Sequence, residues 1–184
     1  MWGEIVRRYI AIFLIGVIIK ILDDEIDQDF YHKGHFYLEI MKHRLPYCLL
    51  FMSMAMILDP FYSFGLFTSA YALGMFRKLN LMLPSQLKSY QELLLIIFIN
   101  LLLIPVWIFL HSMIIIMIIQ LMDDLMDCYY DRKYGFPNLV NSFGKVEVSI
   151  TILILVVISF MMSWINTLII IPVAILINYL YSSL

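Results

Sequence analysis

The sequence predicts an all-α protein, a polytopic membrane helical bundle of about seven transmembrane helices. Three observations carry that expectation. Of 184 residues, 63% are hydrophobic and only 14% charged, where soluble domains carry about 25% charged residues. Mean hydropathy is +0.92. The apolar residues also gather into runs close to the roughly 17–25 residues a spanning helix needs. A net charge of −2 argues against a nucleic-acid partner. Cys48 and Cys128 form no CxxC pair, so neither a disulfide framework nor a zinc site is expected.

The expected spans are 4–22, 45–59, 61–78, 87–104, 105–122, 147–163 and 165–183. The first run lacks a small-residue cleavage site and reads as a span, not a signal peptide. Asp59-Pro60 divides the second span from the third, Pro84 and Ser85 precede the fourth, and "SWIN" from Ser163 divides the last two. Residues 87–122 are ambiguous, because Pro105 either kinks one helix or separates two. A single helix would be on the order of 50 Å long, against a hydrocarbon core of about 30 Å. Charge favours two. With seven spans, Lys20, Lys33, Lys42, Arg44, Arg77, Lys78, Lys88, Arg132, Lys133 and Lys145 share one side, and only Arg7 and Arg8 face the other. The rich side is then cytoplasmic and the N-terminus lies outside.

The chain repeats itself at an offset of 100 residues. "ILDDEIDQDFYHKGHF" from Ile21 aligns with "LMDDLMDCYYDRKYGF" from Leu121. Asp23, Asp24 and Asp27 match Asp123, Asp124 and Asp127, and Lys33 and Phe36 match Lys133 and Phe136. Two spans follow each block. Residues 1–184 thus read as a single membrane domain, with an internal repeat of 4–78 and 105–184 and an extra helix at 87–104. Repeated bundles commonly share a site at their interface.

Both acidic blocks oppose local electrostatics. On a helix, Asp124, Asp127 and Asp131 fall within about 60° of one another. Asp24 and Asp27 do likewise. Like charges one turn apart repel, and the helix C-terminus disfavours anions. A divalent cation removes the penalty, and oxygen-only clusters suit Mg²⁺, which takes one or two carboxylates plus substrate phosphates. The metal-ligand candidates are Asp23, Asp24, Asp27, Asp123, Asp124, Asp127 and Asp131. Solvated loop carboxylates are the plainer explanation of either block alone.

Lys20, Arg77, Lys78, Lys88, Arg132 and Lys133 lie on the same expected side and are candidates to clamp a diphosphate. Each one singly also fits a positive-inside anchor. Asn100 is expected to hydrogen-bond between helices. Tyr129, Tyr130 and Tyr134 fit interfacial anchors or a stacking surface.

Two Asp-rich motifs of the type (N/D)DxxDxxxD, each ending a membrane helix, resemble the UbiA superfamily of intramembrane prenyltransferases. "DDLMDCYYDRKYGFPNLVNSFGK" matches that motif through Asp131 and its continuation through Arg132, Lys133, Gly135 and residues 139–144. "DDEIDQDFY" matches in part, with Tyr31 at the fourth acidic position. The family has nine spans, and this chain looks like that plan without its first and last helices. A second copy of the chain or membrane lipid would then replace the missing tunnel wall.

The resemblance implies Mg²⁺ bridging both motifs and a prenyl diphosphate, with Asp24, Asp27, Asp127 and Asp131 as catalytic carboxylates. The diphosphate leaves, and an unknown small or lipid acceptor takes the prenyl group. Related alternatives are a terpene cyclase or a prenyl diphosphatase. A CDP-alcohol phosphotransferase would need a Gly after the first Asp, which "DDLMDCYYD" lacks. A non-enzymatic divalent-cation-binding protein or transporter would carry ionisable residues at mid-membrane depth. The mid-span regions here carry almost none.

Overall fold

The computed structural model describes residues 2–27, 44–76, 80, 82, 85–135 and 138–182, with side chains for all of these except 2, 23–27, 44, 75, 76 and 182. Among the described residues every regular element is α-helix: α1 (Trp2–Asp27), α2 (Arg44–Leu58), α3 (Pro60–Phe76), α4 (Ser89–Leu103), α5 (Val106–Tyr134), α6 (Leu139–Phe143) and α7 (Lys145–Ser182).

The breaks have local causes. Asp59 precedes α3, and its Oδ1 accepts from Tyr62 N at 3.2 Å, as an N-cap carboxylate does at the third helical amide. Pro60 then takes the first helical position, where its missing N–H costs nothing. Ile104, before Pro105, is extended at φ −122° and ψ 144°, the conformation that a following proline ring favours. Residues 87–122 are therefore two helices. α5 continues through the acidic block to Tyr134, twelve residues past the end expected for its span, and stops where Gly135 adopts φ 77°. α7 breaks at Ser163, with φ −160° and ψ 90°, while Pro172 sits inside its second half.

By length and composition, Val106–Tyr134 and Lys145–Tyr181 are long and apolar enough to cross a membrane, whereas Leu45–Leu58 and Ser89–Leu103 are apolar but shorter. α1 packs against α2, α3 and α7, and α5 packs against α3, α4, α6 and α7. The main core joins Ile15 and Ile18 of α1, Leu66 of α3, Ile115 of α5 and Val173 of α7. Large apolar side chains also cover the outside, among them Phe98 and Leu102 on α4 and Leu153 and Met161 on α7.

Three chain segments meet at one end of the bundle. Arg8 Nε donates to Asp59 Oδ2 at 2.7 Å, and its Nη1 donates to Asn166 Oδ1 at 2.7 Å. Asn166 Nδ2 in turn donates to Tyr62 Oη at 2.6 Å. The start of α1, the α2–α3 turn and the break in α7 are joined there. Further along, Asn100 Oδ1 accepts from Thr68 Oγ1 at 2.9 Å, the expected bond between helices. The opposite end collects the C-terminal ends of α1, α5 and α7. Tyr181 packs against Ile21, and Asn178 Nδ2 donates to Asp123 Oδ1 at 2.8 Å.

Candidate metal and diphosphate site

The second acidic block lies on the last three turns of α5. Its carboxylates point to different partners. Asp124 is buried, and its Oδ2 accepts from Leu139 N at 3.0 Å. Asp131 Oδ2 accepts from Asn138 Nδ2 at 2.7 Å, and the same amide nitrogen donates to the Asp124 carbonyl at 2.7 Å. Asn138 Oδ1 accepts from Val140 N at 2.8 Å and Asn141 N at 3.3 Å. The first three amides of α6 are thus satisfied by Asp124 and Asn138, groups that a short helix end needs when it packs against a neighbour. Asn141 Nδ2 closes the connection by donating to the Cys128 carbonyl at 3.1 Å. Beneath it Leu121, Cys128, Val140 and Val148 form a small apolar cluster.

The face expected to gather Asp124, Asp127 and Asp131 is therefore divided. Asp124 and Asp131 turn toward the 138–141 segment, and Asp127 is exposed. Among the described residues no three His, Cys, Asp or Glu side chains gather to hold a metal ion. The donors present are oxygens, and Mg²⁺ asks for only one or two protein carboxylates when phosphate oxygens and water complete its shell. Of the four carboxylates, Asp124 and Asp131 accept from the 138–139 segment and Asp123 accepts from Asn178, while Asp127 is exposed.

The first block is described by its backbone alone. α1 runs unbroken through Asp23, Asp24 and Asp27, and their side chains lie outside the described residues. So do Tyr31, Lys33, Arg77 and Lys78. Among the other clamp candidates, Lys20 is half-buried on α1, and Lys88, Arg132 and Lys133 are exposed. Lys88 Nζ lies 6.0 Å from the Tyr90 ring centre, and Lys133 Nζ lies 5.3 Å from that of Tyr134. A shallow open groove of about 320 Å³ runs along α7, lined by Lys145, Val146, Ser149, Ile150 and Leu153. None of the site candidates lines it.

Sequence reasoning missed several polar residues. Asn178 sits in a stretch with no motif of its own, and Asn138 falls inside the continuation of the second block without being singled out; the fold brings both to the acidic carboxylates. Arg8 was expected merely as a charge on the outer side, and Asp59 merely as a turn residue. Together they form an ion pair, with Arg8 also 5.2 Å from the Tyr62 ring centre. A second buried network joins His111 Nε2 to Thr167 Oγ1 at 3.0 Å and to Ser159 Oγ at 3.2 Å.

No family model, curated protein or solved structure matches the chain.

Proposed function

We propose that the chain is a seven-span, UbiA-like intramembrane prenyltransferase that uses Mg²⁺ and a prenyl diphosphate, with both acidic blocks on the cytoplasmic side. One observation carries the reading. Two DDxxD blocks, a hundred residues apart in sequence, end helices α1 and α5 at the same end of the bundle. A lone acidic helix end is ordinary. Two of matching pattern at one level, with the last turns of α7 touching both helices, suit a ligand carrying several negative oxygens.

In this reading the acidic blocks of α1, with Asp23, Asp24 and Asp27, and of α5, with Asp123 and Asp127, would together hold the metal-bound diphosphate. Bound Mg²⁺ supplies Lewis-acid neutralisation of the leaving group. Arg132 and Lys133 extend from the end of α5 to add positive charge on the same oxygens. Asp124 and Asp131 act one step back, holding α6 and the chain reversal that fix the end of α5. The prenyl chain lies among apolar side chains, away from water, until an acceptor takes it.

The test is diphosphate release from a panel of labelled prenyl diphosphates by the purified full chain with Mg²⁺, with and without a membrane extract. Release by wild type, and none by Asp127→Asn, supports the reading. Release without a transferred product assigns cyclisation or hydrolysis instead. Equal turnover by wild type and variant rejects the mechanism. The second reading is a non-enzymatic divalent-cation-binding membrane protein, resting on the same acidic helix ends without a diphosphate. It predicts cation binding with no diphosphate release from any substrate.

A further inference from the structure

We propose that the outer surface of the bundle is built for a thin membrane: its apolar belt is about 22 Å high and fits a bilayer of short acyl chains. The inference rests on the seven-span reading and is independent of prenyl transfer.

Two polar layers bound the belt, and hydrogen bonds fix their levels. One is the layer that Arg8 makes with Asp59 and Asn166. Asp59 lies at the turn between α2 and α3, and Asn166 just after the break in α7. α1 continues past this level through Arg7 and Glu4, both exposed. At the opposite end Asn178 Nδ2 meets Asp123 Oδ1 at 2.8 Å, and Tyr181 packs on Ile21, two residues before Asp23. Three helices measure the separation. α1 takes fifteen residues from Arg8 to Asp23, α2 takes fifteen from Arg44 to Asp59, and the second half of α7 takes twelve from Asn166 to Asn178. At about 1.5 Å per residue these are about 22, 22 and 18 Å. α4 agrees. Glu92 accepts from Tyr71 Oη at 2.6 Å, which fixes its level against α3. The thirteen residues from Glu92 to Pro105 then cover about 20 Å. The longest intervals, Asp59 to Arg77 along α3 and Pro105 to Asp123 along α5, reach about 27 Å. Helix tilt lowers each height further. A typical hydrocarbon core is about 30 Å thick.

Long basic side chains commonly make up such a shortfall by reaching out to the headgroups. Arg8 does not, because its guanidinium is turned to Asp59 and Asn166. Asp59, Asn166, Asn178 and Asp123 have side chains too short to reach far. Lipid meets the short helices directly, since Leu50 and Ile57 of α2 and Leu94 and Phe98 of α4 are exposed. A bilayer thicker than the belt must thin around the chain. The cost grows with each ångström of mismatch and sorts proteins among membranes of different thickness.

The full-length protein in phosphatidylcholine vesicles with myristoleoyl, oleoyl or erucoyl chains, which form progressively thicker bilayers, tests the proposal without any substrate. The melting temperature should be highest in myristoleoyl vesicles and fall by several degrees through oleoyl to erucoyl. A nitroxide at Ile57→Cys, two residues from Asp59, should lie within about 5 Å of the headgroups in oleoyl vesicles. One at Leu50→Cys, near the middle of α2, should lie deep in the lipid. Both labelled variants carry Cys48→Ala and Cys128→Ala. If that background does not fold, the melting series on the wild type decides alone. A melting temperature that is highest in oleoyl or erucoyl vesicles, or the same in all three, overturns the proposal. So does a nitroxide at position 57 as deep as the one at position 50. Labels that both fail to meet lipid reject the seven-span reading and the belt with it. Inserted labels with no preference for thin bilayers reject the belt alone.

Discussion

Arg8 Nε meets Asp59 Oδ2 at 2.7 Å across 51 residues of sequence, tying the start of α1 to the turn that begins α3. The pair sits at the end of the bundle away from the acidic blocks, with Arg8 shared by Asn166 at the break in α7.

Breaking the pair from one side leaves an uncompensated charge among apolar helices. Arg8→Met or Asp59→Leu is expected to cost about 1–3 kcal/mol, less than a fully buried pair because the Arg8 side chain is 36% exposed. The double variant should lose less than the two single losses added together. Thermal melts of the four proteins in detergent measure this, and additive losses exclude the coupling.

Asp124 and Asp127 are expected to separate stability from activity. Asp124 is buried and supports α6, whereas Asp127 is exposed. Asp127→Asn should keep the wild-type melting temperature and lose diphosphate release. Asp124→Asn should lower both. Melting curves and release assays on the same preparations decide it. The same fall in melting temperature for both variants would contradict the assignment.

Asn138 should control α6 locally. Asn138→Ala removes the cap of Val140 and Asn141 and the donor to Asp131 together. Loss of an N-cap costs about 1 kcal/mol. Hydrogen exchange should therefore quicken over 139–144 and stay unchanged in α1. Unchanged exchange in α6 counts against the network.

Thr167 should stiffen the break in α7. Its Oγ1 lies 2.8 Å from the Ser163 carbonyl and 2.8 Å from Ser159 Oγ, and it meets His111 of α5. Thr167→Val keeps the shape and leaves these polar atoms short of one partner, at a cost of about 1–3 kcal/mol. A lowered melting temperature with unaltered diphosphate release by the folded protein is expected, because the network is at the far end from Asp123.

The helix order was legible because its breaks are chemical. Pro60, Pro105 and the Ser163 segment each interrupt an apolar run for reasons visible in the residues alone. The extent of α5 was not. Asp123 to Asp131 read as the end of a span, yet the helix continues to Tyr134, since α6 and Asn138 satisfy groups that the isolated helix end leaves to water. The acidic block itself was legible, and its division was not. Which carboxylates turn inward depends on Asn138 and Asn178, seven and 55 residues from the groups they hold. Arg8 illustrates the same limit. Its charge was plain, and its partner at Asp59 exists only once three chain segments meet.

The shared site requires that both blocks act on one substrate. The most direct measurement is Mg²⁺-dependent diphosphate release from a prenyl diphosphate by wild type, Asp24→Asn and Asp127→Asn, one variant from each block and each checked for an unchanged melting temperature. A site shared by α1 and α5 predicts that either substitution alone abolishes release. Wild-type release by either variant would contradict it.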